Sequence, residues 1–241
     1  MSDSNVRSVR GMNDLLPADS RVFAWIEAEM RRVFSLYGFS ELRTPIVEET
    51  RLFSRAVGEE TDIVSKEMYT FSDRDGSSLT LRPEGTASAV RAYIEHGLDR
   101  TDPVARWYYT GPMFRHERPQ KGRYRQFHQI GAEVFGLADA HVDAELIHML
   151  AHFARLLGVK GVSLKLNSLG CAACRPAYRE ALRTYIDGVK GSLCEDCLRR
   201  METNPLRVLD CKQEGCIAAT VSAPASADHL CEECVAHFAR V

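Results

Sequence analysis

All eight cysteines of this 241-residue chain lie at or beyond Cys171, and they fall into four close pairs. The pairs are Cys171-x-x-Cys174, Cys194-x-x-Cys197, Cys211-x4-Cys216 and Cys231-x-x-Cys234. A side-chain type that switches on at one point places a domain boundary near Gly170, so residues 1–170 and 171–241 are expected to fold by different means. The N-terminus carries no long apolar run, so neither a secretory signal nor a membrane span is expected, and the chain is assigned to the cytoplasm. Thiols stay reduced there, which argues against four disulfides. Three CxxC knuckles and one wider pair have the spacing of structural zinc sites. Eight thiolates suffice for up to two tetrahedral Zn2+ centres, and spacing alone leaves open which pairs share an ion. A short region of modest apolar content would gain folding energy from such ions. The alternative is eight unligated thiols, some buried and some redox-labile.

The first 170 residues carry a different pattern. Residues 1–16 read as an extended arm. Asp14 is placed to cap the following helix, and Pro17 is tolerated in its first turn. Val22, Phe23, Ile26, Met30, Val33, Phe34 and Tyr37 then recur at helical spacing until Gly38. A short strand at 39–43, Pro45 and a helix at 49–57 follow. Residues 67–71 and 78–82 flank the turn-forming run SDRDGS as a β-hairpin. Residues 84–96 read as a helix. Segments 103–114 and 124–134, rich in aromatic and branched residues, read as a long antiparallel pair. Asp139 opens an amphipathic helix with Val142, Leu146, Met149, Leu150, Phe153 and Leu157 on one face, and 161–167 reads as a last strand. Helices interleaved with hairpin-like strands, without a βαβ repeat, predict an α+β domain on a largely antiparallel sheet.

Candidate chemistry concentrates at 114–135, FRHERPQKGRYRQFHQIGAEVF. Arg115, Arg118, Lys121, Arg123 and Arg125 fall within eleven residues, against the single acid Glu117. Pro119 and Gly122 place a turn between the strands. Guanidinium forks match phosphate oxygens in pairs, so a basic turn suits a polyanion; on charge alone, a solvated loop fits as well. The net charge of −2 gives no global sign of nucleic-acid binding. Alternation sharpens the reading: Tyr124, Gln126, His128, Ile130 and Ala132 should share one face, and Arg125, Phe127, Gln129, Gly131 and Glu133 the other. An arginine, a ring, an amide, a glycine and a carboxylate in one row make a poor core and a suitable floor for a small-molecule site. In LRPEGTAS, residues 81–88, Glu84 and Thr86 sit where a helix begins, and taken alone they read more simply as caps than as ligands.

Taken together, RGMNDLLP at 10–17, YGFSELRTPIVEETRLFSRAVGEETDIVSKEMYTF at 37–71, LRPEGT at 81–86, FRHERPQKGRYRQFHQIGAEVFG at 114–136 and NPLRVLDCK at 204–212 resemble the class II aminoacyl-tRNA synthetases, specifically the bacterial-type histidyl-tRNA synthetases. The resemblance covers essentially the whole chain. It implies a class II catalytic core, an antiparallel sheet flanked by helices, at 1–170 and a Cys-rich insertion at 171–241. The family activates L-histidine with ATP and Mg2+ and transfers it to tRNA(His), and it works as a homodimer through the first helix, strand and Pro45. The resemblance implies that Arg115 contacts the α-phosphate of ATP as the catalytic cation, that Glu117 looks to the adenine amino group, and that Phe127 stacks on the base. It places Arg123 at the phosphates or tRNA acceptor end, beside Gln120 and Lys121. Glu84 and Thr86 would hold the substrate α-amino group with Gln129 nearby, and Glu133 would accept a hydrogen bond from the imidazole.

The sequence also departs from the family. No GGGRYD-like segment, histidine-specific arginine segment or motif 3 occurs in these 241 residues. The expectation is an incomplete core, with the parent protein a histidine–tRNA ligase and this chain alone inactive or impaired. A paralogous regulatory subunit of histidine biosynthesis keeps the fold without charging tRNA. It usually loses parts of motif 2, and the intact HERPQKGRYRQ favours the synthetase.

Overall fold

The structure is a computed structural model that describes residues 6–58, 61, 63–118 and 120–241. The first five residues of the expected arm and Pro119, the expected turn residue, lie outside the described residues. The chain divides into two compact units, Met1–Ala138 with Glu145–Val162, and Asp139–Ala144 with Ser163–Val241.

In the first unit, α1 runs from Pro17 to Leu36. Its start corrects the Asp14 expectation. The N-cap is Leu16, no side chain caps it, and Pro17 alone sets the first turn with its fixed φ. Gly38, at φ 75°, ends the helix in a backbone region that suits glycine. Strands β1 (Ser40–Glu41) and β2 (Val47–Glu49) and helix α2 (Thr50–Val57) follow. Strands β3 (Tyr69–Ser72) and β4 (Ser78–Leu81) form the expected hairpin, with Gly76 at φ 87° in its turn. Helix α3 spans Thr86–Glu95, a short α4 spans Leu98–Thr101, and the long pair is β5 (Ala105–Phe114) with β6 (Gln126–Phe135).

The expected single sheet is two sheets of three strands, ordered β1-β5-β6 and β2-β4-β3. Pairing is antiparallel except for β1 with β5, which run parallel. The buried guanidinium of Arg82 holds the two sheets together. Its Nε donates to the Pro112 carbonyl (3.0 Å), and its Nη1 donates to the Thr44 carbonyl (3.0 Å) and Oγ1 (3.1 Å). The backbone of Arg82 continues the link, donating to Ile46 O and accepting from Phe114 N. A charged side chain tolerates such burial only when its donors are met.

One face of β5–β6 packs on helices. Tyr108, Ile130, Ala132 and Val134 meet Met30, Val33 and Phe34 of α1 and Met149 and Phe153 of α5 (Ala140–Leu156). The Phe34 ring sits edge-on to Tyr108 and Phe153, with centroids 5.5 and 5.9 Å away. Four members of the expected apolar stripes miss this core: Val22 is 53% and Leu150 64% exposed, because each lies at the margin of its helix's buried arc, Phe23 meets the His128 ring instead, and Val142 falls in the second unit. The last expected strand, 161–167, is also absent. Val162, Leu164 and Leu166 alternate as a strand would, but they stand exposed with no paired neighbour among the described residues. Alternation predicts a strand only where another edge can take its backbone hydrogen bonds.

The second unit is helical: α6 (Arg175–Val189), α7 (Glu195–Thr203), α8 (Glu214–Thr220) and α9 (Glu232–Arg240). Its core gathers Tyr178, Leu182, Ile186, Met201 and Val208 with Cys197 and Cys216. The backbone preceding the cysteines joins this unit, where Asn167 accepts a hydrogen bond from Ser226 at 2.9 Å. Among the described residues, no helix is long and apolar enough to cross a membrane.

Candidate functional site

The opposite face of β5–β6 carries the expected polar row. Antiparallel register sets Trp107 opposite Glu133, Tyr109 opposite Gly131, Gly111 opposite Gln129 and Met113 opposite Phe127. Facing residues share a side of the sheet, so these eight positions, six of them bearing side chains, form one floor. Gly131 is required there. A Cβ on it would lie 2.2 Å from the Tyr109 ring, and one on Gly85 would lie 2.1 Å from the same ring. Two glycines therefore bracket one buried tyrosine. Gln129 Oε1 is buried and has no hydrogen-bond partner among the described residues. A buried amide oxygen left unmet costs free energy unless something else satisfies it.

The N-terminal turn of α3 closes over this floor. Thr86 Oγ1 donates to Glu133 Oε1 at 2.7 Å, and the Tyr109 hydroxyl donates to the same oxygen at 3.1 Å. Burial, aided by the nearby Glu133 charge, pushes the Tyr109 phenol well above its ordinary range. It therefore stays a donor. Both oxygens of Glu84 accept backbone N–H groups, from Thr86 at 2.6 Å and Ala87 at 2.9 Å. Glu84 thus caps the helix in this structure, and one carboxylate can cap while presenting further lone pairs. Helix α3 also lines a cleft of about 860 Å³ with α2, where Leu52, Ala56, Val90 and Ile94 meet Glu84 and Thr86.

At the other end of the row, Arg115 Nε donates to the Pro83 carbonyl at 2.9 Å, and its guanidinium carbon lies 5.1 Å from the Phe127 ring centroid. One edge of the fork is anchored, and the terminal nitrogens meet no protein acceptor among the described residues. Glu117 and Arg123 form an ion pair at 3.1 Å, with Arg123 side chain 53% exposed and Glu117 16%. Gln120 and Arg123 pair through their backbones around Gly122, at φ 81°, while Arg118, Gln120 and Lys121 are exposed. Arg125 turns away from the loop tip. Its backbone N–H reaches the Gly11 carbonyl at 2.7 Å, and its side chain covers Gly11.

The structure thus brings Arg115, Phe127, Gln129, Glu133, Glu84 and Thr86 to one side of the sheet, with Glu117 and Arg123 paired in the loop beyond. Tyr109 was missed from sequence. Its signal was Gly131: a glycine inside a strand marks close approach by a large group, and the register names Tyr109 as that group.

In the second unit, Cys171, Cys174, Cys231 and Cys234 form one cluster, and Cys194, Cys197, Cys211 and Cys216 form another. Within each cluster the sulfurs lie within 4.8 Å of one another. Cys171 Sγ is 3.7 Å from Cys174 Sγ and 3.9 Å from Cys231 Sγ, Cys174 Sγ is 3.8 Å from Cys234 Sγ, and Cys194 Sγ is 3.9 Å from Cys211 Sγ. A tetrahedral ion with Zn–S bonds of about 2.3 Å sets sulfurs about 3.8 Å apart. None of these pairs is a disulfide, and all eight thiols are free. Backbone N–H groups at Cys174 and Ala173 pull the Cys171 thiol down to about 6. The donor set and its spacing fit a four-thiolate metal site at each cluster.

The sequence model of the histidyl-tRNA synthetase family matches residues 11–174. The histidine–tRNA ligase of Trichlorobacter lovleyi is 58% identical over 237 residues, covering 98% of this chain and 57% of its own length. That of Geobacter sulfurreducens is 58% identical over 233 residues, covering 97% of this chain and 56% of its own. This chain therefore spans a little over half the length of those relatives. Apo S. aureus histidyl-tRNA synthetase superposes with a TM-score of 0.75 at 38% identity, covering 98% of this chain and 53% of that one. A Bacillus halodurans ATP phosphoribosyltransferase regulatory subunit/histidyl-tRNA synthetase, at TM-score 0.64 and 20% identity over 97% of this chain and 62% of its own, shares the fold alone.

Proposed function

The chain belongs to the histidyl-tRNA synthetase family, and on that premise we propose that it supplies the ATP- and histidine-binding floor of a histidine–tRNA ligase. The observation that carries this reading is the β5–β6 face itself, where Glu133, held by two hydroxyl donors, and Gln129, with an unmet buried oxygen, sit in one row with Arg115.

In this reading the carboxylate of histidine attacks the α-phosphorus of ATP and pyrophosphate leaves. The terminal ribose hydroxyl of tRNA(His) then attacks the acyl carbon and AMP leaves. Neither step needs a protein nucleophile. Arg115 aims its free guanidinium edge at the α-phosphate and Phe127 stacks on the adenine, so the protein's contribution is alignment and fixed positive charge. Glu117 meets the adenine amino group, and Arg123, with Gln120 and Lys121, reaches the phosphates or the acceptor end. Glu133 accepts from the substrate imidazole, while Glu84, Thr86 and Gln129 hold its ammonium. Polar partners for the ring reject apolar amino acids more strongly than pocket size can.

Mg2+ would lower the cost of charge on the phosphates when bound. Mg2+ keeps several waters and is held mainly by substrate phosphates, so it would arrive on the nucleotide. The cysteine clusters hold structural Zn2+. The protein acts in the cytoplasm, where tRNA is charged, and forms a homodimer, supported by the half-exposed Val22 and Trp25 on α1.

Calorimetry of the purified chain with ATP and histidine, beside histidine-dependent pyrophosphate exchange and tRNA charging, tests these points. Binding of both small ligands is expected. Binding of neither would overturn the site.

A further inference from the structure

Building on the zinc reading, we infer that the two thiolate sites are nested in sequence and unequal in role. The outer site is an exchangeable clasp and the inner site part of the module's core. The first and last cysteine pairs, Cys171/Cys174 and Cys231/Cys234, meet in one cluster, while the two middle pairs, Cys194/Cys197 and Cys211/Cys216, meet in the other. The outer ion would close the longer loop and tie the start of α6 to the start of α9. A clip over a long loop stabilises chiefly by restricting the unfolded chain, without needing a core around it. The inner ion would close a shorter loop contained within the first.

Their surroundings differ in the same sense. Cys197 and Cys216 are 0% and 1% exposed and pack among Tyr178, Leu182, Ile186, Met201 and Val208. In the outer cluster Cys171 is exposed, Cys231 and Cys234 are partly exposed, and only Cys174 is buried. A chelator must contact a metal–sulfur bond to displace it. It can do so at the outer site through Cys171, Cys231 and Cys234, and at the inner site through the partly exposed Cys194 and Cys211, but the inner ion is freed only when its bonds to the buried Cys197 and Cys216 also break, which requires the module's core to open. The outer ion therefore leaves and returns while the helices stay packed, and the inner ion leaves only with unfolding of the module. Every ligand is a cysteine, so both sites take a thiophilic divalent ion, Zn2+ or Cd2+.

The test uses the full chain loaded with zinc. Metal analysis is expected to give two ions per chain, and a chromophoric chelator is expected to draw them off in two phases of equal size. Amide-exchange protection at 178–186 should persist through the first phase and fall with the second. The quadruple variant C171A/C174A/C231A/C234A is expected to keep one ion and only the slow phase. Any other pairing would leave it no complete site. Since that variant could fail to fold, 113Cd NMR of the unaltered chain provides an independent assignment. Each of two resonances should couple to the cysteine β-protons of one nested set. Couplings that mix the sets, or a single release phase with simultaneous loss of protection, would overturn the nested, unequal arrangement. Less than one ion per chain, with all eight thiols titrating freely, would instead overturn the zinc reading beneath it.

Discussion

Thr86 Oγ1 donates to Glu133 Oε1 across 2.7 Å, joining the first residue of α3 to the C-terminal part of β6. Tyr109 reaches the same oxygen from β5, so three elements fix one carboxylate. Among the described residues no donor meets the second oxygen of Glu133, and positional control of this kind is what its proposed specificity role requires.

Glu133→Gln keeps the shape and an amide oxygen for Thr86 and Tyr109 but removes the charge. Hydrogen bonds to charged partners contribute about 1.5–3 kcal/mol. The KM for histidine in pyrophosphate exchange by the full-length ligase is therefore expected to rise about ten- to a hundredfold. The KM for ATP should hardly move. An unchanged histidine KM would remove Glu133 from the pocket.

Gly131→Ala tests the close approach of Tyr109. The new methyl would sit 2.2 Å from the ring, which is bracketed on its other side by Gly85. Overpacking of this kind costs about 1–3 kcal/mol. A lower urea midpoint is expected, with partial recovery in the double variant that also carries Tyr109→Leu. Equal midpoints for the parent and Gly131→Ala would contradict the packing described.

Arg82→Met removes the donors that meet the Pro112 and Thr44 carbonyls. With buried acceptors left unmet, a loss of about 3 kcal/mol is expected. Lysine should rescue little, since a single ammonium cannot span the positions the fork spans. Retention of parental stability by Arg82→Met in a denaturant titration would show that the sheets are held by other contacts.

Tyr109 predicts an alkaline limit. Burial raises its phenol above the ordinary value of 10.0, so the fold binds this proton more tightly than the unfolded chain does. Its contribution is complete below the unfolded value and is lost as pH rises past about 10 toward the folded value. The urea midpoint should fall between pH 9 and pH 11, and less so in Tyr109→Phe. Parallel declines in both proteins would assign the effect elsewhere.

Much of the fold was legible because local rules and long-range packing agree. Proline at the start of α1 and glycine at its end bound that helix, and the turn chemistry of SDRDGS sets the β3–β4 hairpin. The alternation of residues 125–133 named the residues that share the candidate face because a strand's side chains have period two, whatever it pairs with. The cysteine spacing likewise announced thiolate sites, since each knuckle places two sulfurs together through local backbone alone.

Tertiary structure decided the rest. Only the β5–β6 register shows that Tyr109 lies over Gly131, and only the placement of α3 brings Thr86 to Glu133, 47 residues away in sequence. Residues 161–167 alternate as a strand but pair with no edge among the described residues, a condition that no local pattern contains. Which cysteine pairs share a cluster is decided the same way, because the contact between Cys171 and Cys231 exists only once the helices between them have packed. Sequence determines which groups are present and which way they face along one element. Their partners depend on how distant elements bury one another, and that is a property of the whole fold.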